Sequence, residues 1–184
     1  MLAASGFGLL SIAEVDPAVL ALFDCGKPHL NQFLQTVASP FHAFRLGLTN
    51  VVFHKDYEGP VGYFTLSNDA IRLKDSERFD IGIDHDVEVT YFPAVKLCRL
   101  AVQNQLQGAG AGAAIMDLIR GEVYDSVSNS AARLIIVDAD NEPPVLKFYE
   151  NHGFQRSLFA EGVAKSHAGN KNAITIKMWL DILA

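Results

Sequence analysis

The sequence predicts an α/β (α+β) chain, a mixed sheet with helices packed on it, and three observations carry that reading. Two β-rich runs, 44–54 and 61–71, are joined by Lys55-Asp56-Tyr57-Glu58-Gly59-Pro60. Asp, Gly and Pro between such runs are hairpin chemistry, so the two strands are antiparallel neighbours. Later, strand, helix, strand and helix follow one another within about sixty residues, the pattern of a right-handed crossover unit. Apolar residues fill 49% of the 184 positions and charged residues 20%, which suits one core-forming domain spanning 1–184 and excludes disordered or low-complexity classes.

Taken in order, the segment 16–38 reads as helical with a break near Gly26, because Leu20, Phe23, Leu30, Phe33, Leu34 and Val37 recur at spacings of three and four. The hairpin follows. Between 75 and 88 stand acids at 75, 77, 80, 84, 86 and 88 against one base, Arg78, and this segment reads as a solvated loop. Asp84-His85-Asp86 resembles a metal cluster in composition only, since it lacks HExxH or EF-hand spacing. No histidine is assigned as a ligand, and no metal is expected. Val95 to Val102 is a strand, Gln103 to Gly112 a glycine-studded loop, and 113–127 a helix. Leu134-Ile135-Ile136-Val137 is apolar enough for a central strand. Pro143 and Pro144 open a helix that runs to His152, with Gly153 to end it. Asn172 to Trp179 reads as a last strand.

The net charge is −6 and the pI about 5.4, so the totals do not suggest a broad polybasic surface for nucleic acid. Cys25 and Cys98 stand far apart with no CxxC, which leaves a disulfide framework unsupported and makes the cytoplasm the default compartment. The opening MLAASGFGLLSIA has no basic residue ahead of Glu14 and reads poorly as a signal peptide. No run approaches the ~18 apolar residues of a membrane span.

The chemistry centres on Gln107-Gly108-Ala109-Gly110-Ala111-Gly112, between a strand and a helix. Glycines let the backbone curl so that several N–H groups face one concavity. The helix start adds unsatisfied amides and its positive dipole end, which suits a phosphate or pyrophosphate. No Lys-Ser or Lys-Thr follows, so a P-loop is excluded. Gly108-x-Gly110-x-x-Ala113 formally satisfies the dinucleotide fingerprint, with Asp138 available as a ribose carboxylate. Against it, five residues, Gln103 to Gln107, separate strand from glycines, and a hairpin precedes the motif. A plain glycine turn packing helix on strand is the remaining alternative.

Arg99-Leu100-Ala101-Val102 followed by Gln107 to Gly112 resembles motif A of the GNAT superfamily of acyl-CoA N-acyltransferases, Q/R-x-x-G-x-G/A. Phe148-Tyr149-Glu150-Asn151-His152-Gly153-Phe154 is similar to the FYxxxGF that closes motif B. Phe23-Asp24-Cys25-Gly26, Leu30-Asn31-Gln32-Phe33-Leu34 and Val61 to Ser67 further resemble the toxin branch of that superfamily, with Cys98 where a small residue such as Gly is expected. The resemblance implies a GNAT-like, mostly antiparallel sheet of six to seven strands flanked by helices. It implies acetyl-CoA as acyl donor and, for the toxin branch, the amino group of aminoacyl-tRNA as acceptor, a ribbon-helix-helix antitoxin as partner, and a homodimer. A GNAT enzyme of a small amine or protein N-terminus, and a CoA-binding regulator without turnover, are the alternatives. Such toxins tend to be basic where they hold tRNA, whereas this chain is acidic; from Arg156 to Lys177 it carries bases at 156, 165, 171 and 177 against Glu161.

By the same resemblance, backbone amides of Gln107, Gly108, Ala109, Gly110, Ala111 and Gly112 hold the CoA pyrophosphate. Main-chain groups of Leu100 and Val102 pair with the pantetheine arm. Tyr149 is the general acid that protonates the departing thiolate. Asn141 is a CoA contact or a cap-region residue. Glu88, water and Asp138 are the candidates for a base. Arg99 faces away from Leu100, toward a substrate phosphate or a salt bridge.

Overall fold

A computed structural model describes residues 5–83, 88–125, 131–166 and 173–184. The chain opens with a strand that its mild apolar character did not announce, β1, Phe7–Ser11. Ser11 and Glu14 then form a reciprocal cap, Ser11 N–H donating to Glu14 at 3.1 Å and Ala13 N–H to the Ser11 hydroxyl. The expected 16–38 helix is broken into α1, Pro17–Leu20, and α2, Pro28–Gln32. The break contains Gly26, at φ +79°. From α2 the chain winds on through a π-helical turn, Phe33–Val37, into α3, Ala38–Ala43. Helix therefore extends past residue 38, and the strand expected from Phe44 begins only at Leu48. The cause is a helix end closed by Arg45 N–H to His42 C=O and Leu46 N–H to Phe41 C=O, with Phe44 left 76% exposed.

The hairpin pairs β2, Leu48–His54, antiparallel with β3, Tyr57–Ile71. Its turn is only Lys55-Asp56, because His54 already pairs with Tyr57; Tyr57 to Pro60 belong to the strand. The acidic segment is not a plain loop. It forms α4, Asp75–Asp80, whose Glu77 is buried. Asp84, His85 and Asp86 lie outside the described residues.

Then come β4, Phe92–Val102, a 3₁₀ turn at Asn104–Leu106, and α5, Ala111–Asp125, starting two residues earlier than expected. The expected helix end at 127 falls outside the described residues. β5, Leu134–Asp140, is longer than its apolar stretch and takes in Asp138. It pairs parallel with β4, Ala94 to Lys96 against Leu134 to Ile136, as a crossover requires. α6, Pro143–Asn151, follows as expected. β6, Gln155–Arg156, and α7, Leu158–Ser166, were not anticipated. The tail strand, β7, is Thr175–Asp181.

The seven strands hydrogen bond in the order β1-β2-β3-β4-β5-β7-β6. They make a mixed, mostly antiparallel sheet with helices beside it, a GNAT-like fold. By density of contact the chain forms two compact units, one from 1–67 and 97–121, the other from 68–96 and 122–184. Leu20, Phe23, Phe33, Leu34 and Tyr63 are central to the core of the first. Ile71, Phe92, Leu134, Ile136 and Trp179 anchor that of the second.

Candidate functional site

In the first unit the site is built at the end of β4. The ladder to β5 covers only Ala94 to Lys96. The strand continues to Val102 with Leu100 and Val102 half-buried. Cys98 is accommodated against Ser67, Sγ to Oγ 3.1 Å. Arg99 stands over the Phe33 ring at 4.9 Å and donates to the Cys98 carbonyl. Among the described residues it forms no salt bridge, the second of the two destinations expected of it.

Past Val102 the chain makes its 3₁₀ turn and Gln107 N–H donates back to Asn104 C=O at 3.2 Å. The Gln107 side chain is a brace, its Nε2 donating to the carbonyls of Cys25, 2.9 Å, and Val102, 3.0 Å. Ala109 N–H is bonded as well, to Leu106 C=O. Gly108 and Gly110 lie at φ +73° and +91°, and a Cβ on either would meet nothing within 4 Å. These glycines are there for backbone conformation, not for room. Of the six amides expected to hold pyrophosphate, those of Gly108, Gly110, Ala111 and Gly112 make no backbone hydrogen bond among the described residues. They cluster at the start of the 15-residue α5, where the helix dipole favours an anion.

In the second unit Tyr149 lies on α6 with its ring buried between Phe148 and Phe154, both edge-on at 5.3 and 5.2 Å. Its hydroxyl bonds to no described residue and is not sealed in. Burial, and secondarily the negative charge of Asp140, push its pKa well above the ordinary tyrosine value, so the hydroxyl stays protonated. Asn141 uses its backbone N–H on Ile174 C=O and its Nδ2 on Ala173 C=O, both 2.9 Å. It ties the end of β5 to the approach of β7. The N-cap position of α6 belongs to Glu142, whose side chain makes no capping bond to the helix.

Of the candidate bases, Glu88 is exposed. Asp138 is not at a strand end; it sits within β5 between Lys96, 2.6 Å, and Lys177, 3.0 Å. Burial alone would raise its pKa, but the two lysines outweigh it and hold the carboxyl below the usual range. That makes it a poor proton acceptor. Among the described residues no three His, Cys, Asp or Glu side chains converge as metal ligands, and no helix is long and apolar enough to cross a membrane.

Sequence reasoning gave no role to Gln103 or Asn31, although both hold the segment around Cys25. The signal was present in Asp24-x-Gly26, an Asx-turn pattern.

No family model and no curated protein matches the sequence. Solved structures do. A mutant of the toxin AtaT superposes with a TM-score of 0.73 at 19% identity, covering 100% of this chain and 93% of that one. AtaT complexed with acetyl-methionyl-tRNA gives 0.72 at 21%, over 95% and 94%. A tyrosine-to-phenylalanine mutant of KacT gives 0.70 at 20%, over 94% of each. The fold of this chain is thus the fold of the toxins AtaT and KacT, the fold that the resemblance implies.

Proposed function

We propose that the chain, as one domain over 1–184, is an acetyl-CoA-dependent N-acetyltransferase acting on the amino group of aminoacyl-tRNA, the toxin of a toxin–antitoxin module. The observation that carries this reading is a likeness over nearly the whole chain to AtaT, which has been captured with acetyl-methionyl-tRNA and with acetyl-CoA and the antitoxin AtaR. The free amides of Gly108, Gly110, Ala111 and Gly112 support the donor half of the reading: they would take the pyrophosphate of CoA. The main chain at Leu100 and Val102 would take the pantetheine amides, and Asn141, whose N–H and Nδ2 brace the end of β5, would offer its Oδ1 to CoA.

The acceptor amine attacks the thioester carbonyl with its lone pair. The C–N bond forms, the C–S bond breaks, and the proton shed by nitrogen passes to water. Tyr149 donates its hydroxyl proton to the departing sulfur, releasing CoA as the thiol, and the phenolate takes a proton back from water to restore the hydroxyl. An aminoacyl amine titrates near ~8, so an appreciable fraction is already neutral near pH 7, whereas a lysine near ~10.4 is almost wholly charged. A dedicated base is therefore not required, in keeping with the state of Asp138. The partners of this reading are aminoacyl-tRNA, a ribbon-helix-helix antitoxin and a second copy of the chain, in the cytoplasm.

The net charge of −6 favours a second reading, a GNAT enzyme of a small amine or a protein N-terminus. Radiolabelled acetyl transfer from acetyl-CoA to a charged total-tRNA pool decides between them, with Tyr149→Phe as the paired control. Label on the aminoacyl group that disappears in the variant supports the toxin reading. No label on tRNA but label on amines or proteins supports the second. CoA binding with no transfer to any amine would make the chain a regulator.

A further inference from the structure

The glycine-rich loop is held by a short strap from the other end of the first unit. Residues Asp24 to Gly26 form an Asx turn, Gly26 N–H donating to Asp24 Oδ1 at 2.8 Å. Asn31, on α2, fixes that turn from both sides. Its Nδ2 donates to the same Asp24 Oδ1 at 2.6 Å, and its Oδ1 accepts Cys25 N–H at 2.9 Å and lies 3.1 Å from Cys25 Sγ. The turn so fixed meets the base of the loop through three main-chain groups. Asp24 N–H donates to Gln103 Oε1, 2.9 Å. Asp24 C=O accepts Asn104 N–H, 2.8 Å. Cys25 C=O accepts Gln107 Nε2, 2.9 Å. Gln103 is itself buried, with its N–H on Val61 C=O. The bonded path therefore runs from Asn31 through the turn to Gln107, one residue before the first left-handed glycine.

We infer that Asn31 is a positioning residue for the anion-binding loop: through the Asp24–Gly26 strap it sets the backbone of 103–107 and thereby aims the amides of Gly108 to Gly112. The inference rests on the reading of that loop as the CoA site and adds a residue to which the motif assigns no part. A loop with two left-handed glycines has many accessible backbone states, so a template bonded to its base selects one of them. Asn suits the task, since one side chain must both donate to a carboxylate and accept from a backbone N–H. The Asp24 carboxyl is held below its usual range by the Gly26 N–H and then by the Asn31 amide; the bracket needs that carboxylate charged.

Three measurements test this. Amide exchange of Asn104, read by NMR without any ligand, accelerates in Asn31→Ala at least tenfold over the unaltered chain. The KM for acetyl-CoA and the Kd for CoA rise about tenfold while kcat stays within twofold, because the loop is loosened and Tyr149 is untouched. A purely structural loss would lower the folded fraction and leave KM unchanged. Asn31→Asp serves if the alanine variant folds poorly. It keeps an acceptor for Cys25 N–H but sets two carboxylates face to face, whose repulsion opens the bracket and raises the pKa of one of them. Its CoA affinity, relative to the unaltered chain at the same pH, recovers as pH falls from about 8 toward 5 and a shared proton rebuilds the bond. Unchanged Asn104 exchange together with unchanged KM in Asn31→Ala overturns the inference. If the unaltered chain binds no CoA, the proposed function fails, and the exchange measurement still decides whether the strap sets the loop.

Discussion

The indole N–H of Trp179 donates to Glu77 Oε1 at 2.9 Å, across 102 residues of sequence. The same carboxyl accepts Leu158 N–H, 2.9 Å, and its other oxygen accepts Lys74 N–H, 2.8 Å. One buried acid thus joins α4, the start of α7 and β7. Removing it by Glu77→Ala orphans three donors, each costing about 1–3 kcal/mol when left unsatisfied in the interior. The expected loss is about 3 kcal/mol or more, read as a shift of the urea midpoint. Glu77→Gln keeps one acceptor oxygen and should lose less than half of that.

Tyr149→Phe removes a hydroxyl that bonds to no described residue, so stability should stay within about 1 kcal/mol while turnover falls roughly a hundredfold or more, as for loss of a general acid. CoA binding should be unchanged. Isothermal titration beside steady-state kinetics separates the two.

Burial raises the pKa of Tyr149, and also of Tyr63, whose hydroxyl donates to Leu30 C=O at 2.9 Å. A group whose pKa is higher folded than unfolded stabilises the fold below its unfolded value and loses that contribution as pH rises. Stability should therefore fall above pH about 10, where an unfolded tyrosine ionises. Thermal melts from pH 8 to 11 check this, with Tyr63→Phe expected to flatten the slope.

The acid side has the opposite sign. Asp138 and Asp181 would be raised by burial, but Lys96 and Lys177 for the first, and Arg133 for the second, reverse the shift and hold both low. Their contribution is complete above the unfolded value of about 3.9 and is lost as pH falls below it. Melting temperature should drop between pH 4 and about 2.5. Asp138→Asn should leave the acid limb of the pH–rate profile in place, because a carboxyl held low by Lys96 and Lys177 is a poor proton acceptor.

Gly110→Ala places a side chain at φ +91°. It should cost about 1 kcal/mol of stability and weaken CoA binding at least tenfold. Gly121→Ala, in open space on α5, is the control. There the change should stabilise by about 0.5–1 kcal/mol with no effect on CoA.

By itself the sequence determined the second half of the chain closely. β4, α5, β5 and α6 appear where apolar runs, glycines and paired prolines put them, and the two motifs named the fold. The hairpin and the break at Gly26 were legible for the same reason: local backbone preferences are written in adjacent residues. Tertiary structure alone decided the rest. The shallow β1 gains its strand state from pairing with β2, and the two-residue β6 from pairing with β7. Glu77 reads as one solvated acid among six until Trp179 and Leu158 arrive from the far end of the chain. Asp138 passes for a possible base until lysines from two other strands flank it, and the Gln107 side chain reads as one more polar group of the loop until the carbonyls of Cys25 and Val102 take it. A side chain's role depends on partners distant in sequence, and neither composition nor spacing records which partners folding will bring.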